Sequence, residues 1–423
     1  MFRLLNRSTA LFLVLFLYTI FSGALRKWVF VNQFGVGNII FLFQLILPFS
    51  FLFLTTQRKA FAPFKNLPLS LYFFALLLYA IHPLNMTLAH GFIGLLIHFG
   101  FWYMCFYYFE NRSDLELEKL FPVLVGIGFG MLVLASIQYQ LPPRHFLNRY
   151  ADESKVGNDI ALVGDSVRVT GTFSYLGGFN SYLILHVFFI WALVKKLYSP
   201  PITLTLLLFG LIGAFMSGSR TTTFMYLGIS GLIIFTEFTS FNFARFLGRL
   251  IPAALMLYLF ILLRGQLGVE QGALKAYENF ENRRVELKES GEEQRRLLWD
   301  YNDLFVDFRG KYPWFGMGLG STYQGATAIF GTSDYVKEFG YVENELTRVV
   351  VEGGFVLLAI KLLMAMYLAS RLVIPFLGKC AVFGLICSVV VPIVFNVYFS
   401  AFMFMSIALV DNMYYRSKVL KEF

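Results

Sequence analysis

The chain is 423 residues long, 57% hydrophobic, 18% aromatic and only 14% charged, with a formal net charge of +9; its mean hydropathy is +0.65. Soluble domains carry about 25% charged residues, so the composition argues against a soluble enzyme. The basic excess reads as a membrane topology signal and calls for no nucleic-acid partner.

A spanning helix needs about 20 mostly apolar residues. In chain order, about twelve runs meet that rule, near 9–25, 37–56, 66–82, 87–109, 118–140, 177–194, 201–217, 221–238, 247–264, 347–369, 374–391 and 393–410. Pro375, Lys379 and Pro392 blur the limits of the last two. The expected fold class is an all-α polytopic membrane protein. Helices one to nine occupy 1–264, with a loop at 141–176. A large amphipathic helical loop follows at 265–345, and helices ten to twelve with a tail occupy 346–423. The first run follows Arg3 and Arg7 and precedes Ser22 and Ala24, as in a signal peptide. Retaining it as a helix gives an even number of spans.

Short connections carry Arg3, Arg7, Arg58, Lys59, Lys65, Arg112, Lys119, Lys195, Lys196, Arg245, Arg249, Arg371, Arg416 and Lys418 on one side. The positive-inside rule makes that side cytoplasmic, with both termini there. Arg26 and Lys27 fall on the opposite side, a single exception. Both long loops are then extracytoplasmic. The second mixes charged and apolar residues at helical spacing, as in Leu297, Leu298, Tyr301, Leu304 and Phe305. Gly310, Pro313, Gly316, Gly318 and Gly320 then force turns.

Motifs for nucleotide chemistry are missing. The segment "GMGLGSTYQG" lacks dinucleotide spacing and "FLGKCA" lacks the hydroxyl and the earlier glycine of a phosphate loop. No Asp-x-Asp pair is present to hold a metal-bound nucleotide sugar. Cys105, Cys380 and Cys387 lie in apolar runs and read as core residues, without zinc spacing. His90 and His98 stand about two helical turns apart; hydrogen-bonded core histidines are favoured over a metal pair. No metal and no cofactor are expected.

What remains is a set of arginines on the outer side: Arg168 in "RVTGTF", Arg220 closing "SGSR", Arg295 and Arg296 ahead of Trp299, and Arg348 in "YVENELTRVVVEGG". The plain alternative is interfacial snorkelling and loop ion pairs. Glu345, Arg348 and Glu352 are spaced three and four apart and share a helix face. That face is expected to line an outer cavity, with the two glutamates holding Arg348; the alternative is an ion-pair ladder locking helix to helix. Asn344 is placed to cap the helix, and Glu345 in its first turn suits the positive end of the dipole.

The elements "MSGSRTTTFMY", "RVTGTF", "RRLLWDYNDLFVDFRGKYPWFGMGLGSTY" and "ENELTRVVVEGG" resemble the O-antigen ligase and O-antigen polymerase family of bacterial surface-polysaccharide assembly. The resemblance covers about 160–370 by motif and the whole chain by its GT-C-like helix layout. It implies transfer of a glycan from a polyprenyl pyrophosphate carrier to a hydroxyl acceptor, on the outer face of the bacterial cytoplasmic membrane, without nucleotide or metal. By position, Arg168, Arg220 and Arg295 match family arginines. Glu343-Asn344 stands where the family usually has His-Asn, with Glu352-Gly353 in place.

Guanidinium suits the charge that builds on a departing pyrophosphate, which makes Arg220, Arg295 and Arg348 the clamp residues. Arg168, Arg296, Trp299, Glu345 and Glu352 are expected to bind substrate. Glu343 is the catalytic base that receives the acceptor proton, or it only orients an arginine. The leading expectation is a polymerase of lipid-linked repeat units, with a ligase second and a flippase or transporter of lipid-linked sugar third. By resemblance, a chain-length regulator and a flippase are expected partners, besides the lipid-linked oligosaccharide and membrane lipid.

Overall fold

The computed structural model describes residues 5–31, 33–151, 162–163, 166–197, 199–237, 278, 285, 314–325, 330–339, 345–388 and 391–422. Helices dominate: α1 Arg7–Ala24, α2 Phe34–Ile46, α3 Ser50–Leu54, α4 Leu67–Ala80, α5 Leu88–Asn111, α6 Phe121–Gln140, α7 Leu176–Leu197, α8 Pro200–Met216 and α9 Arg220–Glu237 are followed by α10 Asp334–Phe339, α11 Glu345–Arg371, α12 Phe376–Ile386 and α13 Val397–Glu422. A two-residue antiparallel hairpin, β1 Leu162–Val163 with β2 Ser166–Val167, pairs Leu162 with Val167 and Val163 with Ser166.

Seven helical stretches among the described residues are long and apolar enough to cross a membrane, while Leu67–Ala80, Pro201–Met216 and Phe376–Ile386 are shorter apolar helices. The chain therefore has the make-up of an all-helical polytopic membrane protein. Every expected run has a helix except 247–264, which lies outside the described residues together with most of the 265–345 loop.

Layering follows from what each helix faces. In α5, α7 and α13, 89% of the apolar window is buried, and these three form the interior. Helices α7 and α13 run side by side in the same direction. Tyr398 Oη donates to Ser174 Oγ at 3.3 Å at one end, and the Trp191 and Tyr414 rings meet at 6.4 Å near the other. The outer helices turn large apolar side chains outward, such as Ile39, Phe53 and Phe129. In lipid that exposure carries no penalty, whereas in water it would form an aggregation-prone patch.

The basic connections gather at one end of the bundle. Lys59 pairs with Asp114 at 2.6 Å, Arg371 with Glu110 at 3.2 Å, and both Lys196 and Arg416 with Glu118 at 3.5 Å. Lys195 reaches Glu237 at 3.7 Å. Residues expected on one side of a membrane thus share one end.

Two helices depart from the expected straight spans. Residue Gly354 inside α11 has φ 65° and ψ −173°. In a straight helix, residues 345 and 361 would stand about 24 Å apart, yet Lys361 Nζ lies 2.6 Å from Glu345 Oε1. The segment 345–353 therefore folds back along the rest of α11, and the long helical run proper starts at Gly354. The expected eleventh run, 374–391, yields only Phe376–Ile386 as helix, and the twelfth begins at Val397. Pro392 cannot donate a helical hydrogen bond, and a non-helical stretch separates the two helices. Broken backbone at membrane depth is tolerated where protein satisfies its polar groups, and Glu345 does this here. Correspondingly, Cys380 is exposed while Cys105 is buried, so only part of the cysteine set belongs to the core.

Candidate functional site

The site is built at the end of the bundle opposite the basic connections, where 314–323, the start of α11 and 168–174 converge. Because Gly354 interrupts the helical ladder, the carbonyls of Val351 and Glu352 are freed, and they accept from Met317 N at 2.8 Å and Gly318 N at 2.9 Å. A side chain at Gly354 would put its Cβ 2.1 Å from the Trp314 carbonyl oxygen, so the close approach needs glycine. Gly320, at φ +78°, lies so close to the His90 carbonyl that an added Cβ would sit 2.1 Å away. Gly316, Gly318 and Gly320, three of the glycines read from sequence as turn formers, therefore wedge this loop between α5 and α11.

Glu352 organises the wedge. It is fully buried and accepts from Gly320 N at 2.8 Å, Thr322 N at 3.0 Å, Thr322 Oγ1 at 2.7 Å and His98 Nε2 at 2.9 Å. A buried carboxylate requires such a shell, since water cannot reach it. His90 is engaged separately, with Thr87 Oγ1 at 2.8 Å and the Gly331 carbonyl at 3.2 Å. The two histidines serve different contacts, as core histidines do.

Arg348 is 6% exposed. Its Nε donates to Thr322 Oγ1 at 3.2 Å and its Nη2 to the Thr322 carbonyl at 2.7 Å, and its guanidinium lies 3.9 Å from the centre of the Phe395 ring. The charges of Glu352 and Glu345 both act on this arginine, but at a distance: the Glu352 oxygens bond the loop and His98, and Thr322 bridges Glu352 to Arg348. Glu345 is fully buried and accepts from Lys361 Nζ at 2.6 Å, Val394 N at 2.9 Å and Phe395 N at 3.3 Å. It ties the fold-back of α11 to the break before α13. Its contacts are those of a positioning residue, and it stands in the first turn of α11 as expected.

Arg168 and Arg220 meet at one turn. Arg168 Nε donates to the Ser217 carbonyl at 3.1 Å and Val169 N to the Met216 carbonyl at 3.4 Å, and Arg220 opens α9 directly after this Ser-Gly-Ser turn. Both arginines are half-buried. The following residues are pinned from several sides: Gln138 accepts from Gly171 N at 2.8 Å and donates to its carbonyl at 3.0 Å. Lys27 Nζ donates to Thr170 Oγ1 at 2.8 Å and to the same Gly171 carbonyl at 2.6 Å.

Sequence reasoning missed Arg26, Lys27, Lys361 and Thr322; His98 was expected only as a hydrogen-bonded core histidine, and its partner is Glu352. Arg26 and Lys27 were read only as an exception to the charge rule, although cations at the outer end are the signal that selected the other arginines. Lys361, in the middle of an apolar run, carried the same signal. Thr322 carried none. Tyr323 links the groups: burial raises the pKa of its hydroxyl, while the charges of Arg348 and Arg26 pull it down. Glu343, Asn344, Arg295, Arg296 and Trp299 lie outside the described residues.

Among the described residues no group of three or more His, Cys, Asp or Glu could hold a metal ion. The arrangement can hold an anion: guanidinium groups gather at one end of an apolar bundle, and Thr322 takes only two of the N–H donors of Arg348. Fold and site together define a polytopic helical membrane protein with a cation-lined end. No family model matches the chain, and no curated protein or solved structure is detectably similar to it.

Proposed function

We propose that the protein is a metal-independent glycosyltransferase that joins oligosaccharide repeat units carried on polyprenyl pyrophosphate, acting at the outer face of the bacterial cytoplasmic membrane. The observation that carries this reading is Arg348: buried, hydrogen-bonded to Thr322 and seated over the Phe395 ring. Guanidinium has five N–H donors; Thr322 takes two of them, and the others are left for an anion. In the proposed reaction an acceptor hydroxyl attacks the anomeric carbon and the bond from that carbon to the carrier phosphate breaks. The pyrophosphate leaves with the electron pair, and Arg348, Arg220 and Arg295 stabilise its charge. The hydroxyl proton passes to Glu343 or, if Glu343 only orients an arginine, to phosphate or water. The resemblance of the four sequence elements supports the same chemistry.

One observation favours a second reading, transport of lipid-linked sugar. Interrupted helices that meet inside a bundle, as α11 and the α12–α13 break do at Glu345, also occur where transporters bind substrate. The deciding experiment is the length profile of surface and carrier-linked glycan in a strain lacking the protein. Single repeat units in place of long chains support the polymerase. Full-length polymer stranded on the carrier means a ligase, and an unaltered set of lengths on both sides refutes the glycosyltransferase. Movement of lipid-linked substrate by the purified protein in vesicles, with no glycosidic bond formed, establishes the transporter.

A further inference from the structure

Trp314 and Phe315 open the loop that wedges against α11, and both are exposed, at 65% and 60%. Their backbone is pinned on both sides. The Trp314 carbonyl accepts from Val356 N at 3.3 Å, and Met317 N donates to the Val351 carbonyl at 2.8 Å. Two close approaches hold the same stretch: an added Cβ would lie 2.1 Å from the Trp314 carbonyl oxygen at Gly354, and 2.5 Å from the Glu352 carbonyl carbon at Gly316. Two large aromatic side chains are thus fixed outward, an arrangement that is unfavourable in water.

Their depth follows from α11. Arg371, at the end of this helix, meets Glu110 at 3.2 Å and Asn66 at 3.4 Å among the basic connections. From Val356 to Arg371 the helix is continuous, which at about 1.5 Å per residue places Trp314 about 22 Å along the axis from Arg371. A hydrocarbon core is about 30 Å thick, and any tilt of the helix lowers that height further. Trp314 therefore stands at or below the outer boundary of the bilayer. Its surroundings agree with this. The ring meets the half-buried Phe355 at 6.3 Å, and below Phe355 the residues Ala359, Leu363 and Met366 are exposed at spacings of three and four. Helix α4, which packs beside α11, exposes Leu71, Phe74 and Leu78. Such stripes are the lipid face of spanning helices, and the aromatic pair extends them upward without a break.

We infer that Trp314 and Phe315 are a membrane anchor, which seats the 314–323 loop in the interfacial layer of the leaflet opposite the basic connections, with phospholipid as its partner. An indole ring suits that depth, because its apolar body faces the acyl chains and its N–H the headgroups. Lipid is the occupant, in preference to a second copy of the chain, because the pair continues faces of α4 and α11 that lie in the hydrocarbon. The anchored loop also supplies Gly320 N and Thr322 to Glu352 and the Thr322 carbonyl to Arg348. The bilayer thus holds the outer side of the wedge while the broken end of α11 holds the inner side.

The test is fluorescence of the full-length protein in nanodiscs of phosphatidylcholine brominated in the upper part of one acyl chain. The share of the emission that belongs to Trp314 is the difference between wild type and Trp314→Phe. That share is expected to be quenched by the brominated lipid. No response to bromine overturns the anchor, and acrylamide then tells the reason: quenching from the aqueous phase places the pair in water, and no quenching means that a protein surface, such as a second copy, covers it. A nitroxide on Phe315→Cys in a cysteine-free background measures the same thing independently. Dissolved oxygen should relax it more than a water-soluble nickel chelate does, as for a label at Met366→Cys. The opposite order, as for a label at Asp334→Cys, would sink the proposal. Should Trp314→Phe fail to fold, the nitroxide decides alone.

Discussion

Replacing Lys361 by methionine would leave the Glu345 carboxylate stranded in the bundle interior. The two groups are 2.6 Å apart and 2% and 0% exposed. At an effective dielectric of about 20, that separation corresponds to an attraction of about 6 kcal/mol. Much of it offsets the cost of desolvating both charges, so breaking the pair from one side is expected to cost about 3–5 kcal/mol. Glu345→Gln alone strands the ammonium at a similar cost. The double substitution Glu345→Gln with Lys361→Met behaves differently, because it removes both charges and keeps one side-chain oxygen for Val394 N, losing only the longer bond from Phe395 N. Its cost is expected to fall at least about 2 kcal/mol below the sum of the single costs. Reversible unfolding of the four proteins in mixed micelles or bicelles measures the cycle. Single costs that add to within about 0.5 kcal/mol would refute the reasoning, since they would show that the two groups do not depend on each other.

Three further outcomes are expected. Gly354→Ala places a Cβ 2.1 Å from the Trp314 carbonyl oxygen at a φ of +65°, and should destabilise the protein by roughly 2–4 kcal/mol, read as a lower melting temperature and yield. Arg348→Lys keeps the charge but replaces a two-point donor by a point donor; glycan joining should fall about tenfold or more with little change in melting, whereas a purely ion-pairing arginine would tolerate the change. In a cysteine-free background, Asp334→Cys should react with a membrane-impermeant maleimide on intact cells and Ser113→Cys only after permeabilisation, and the reverse pattern would overturn the sidedness.

The motif glycines show how far local sequence reaches. Gly316, Gly318 and Gly320 were legible as turn formers, and all three have positive φ. Nothing in their sequence says that the turn enters the bundle and binds the broken end of α11. Likewise, the common face of Glu345, Arg348 and Glu352 follows from helical spacing, but the groups that this face meets do not. Glu345 finds Lys361 sixteen residues on because Gly354 folds the helix back. Glu352 finds His98 from a helix 254 residues away in sequence.

Sequence by itself determined the class of the protein and the placement of most helices. Lipid requires long apolar runs whose backbone bonds are made within the segment, and that demand is local. It also determined that the basic connections share one end, through the sign of charge in short loops. Only the tertiary structure decided which charges pair, that two expected spans are broken, and that Arg26 and Lys27 belong beside Ser174 and Gly171. The physical reason is that a buried charge is stable only where acceptors from several segments meet, and that meeting is a property of packing.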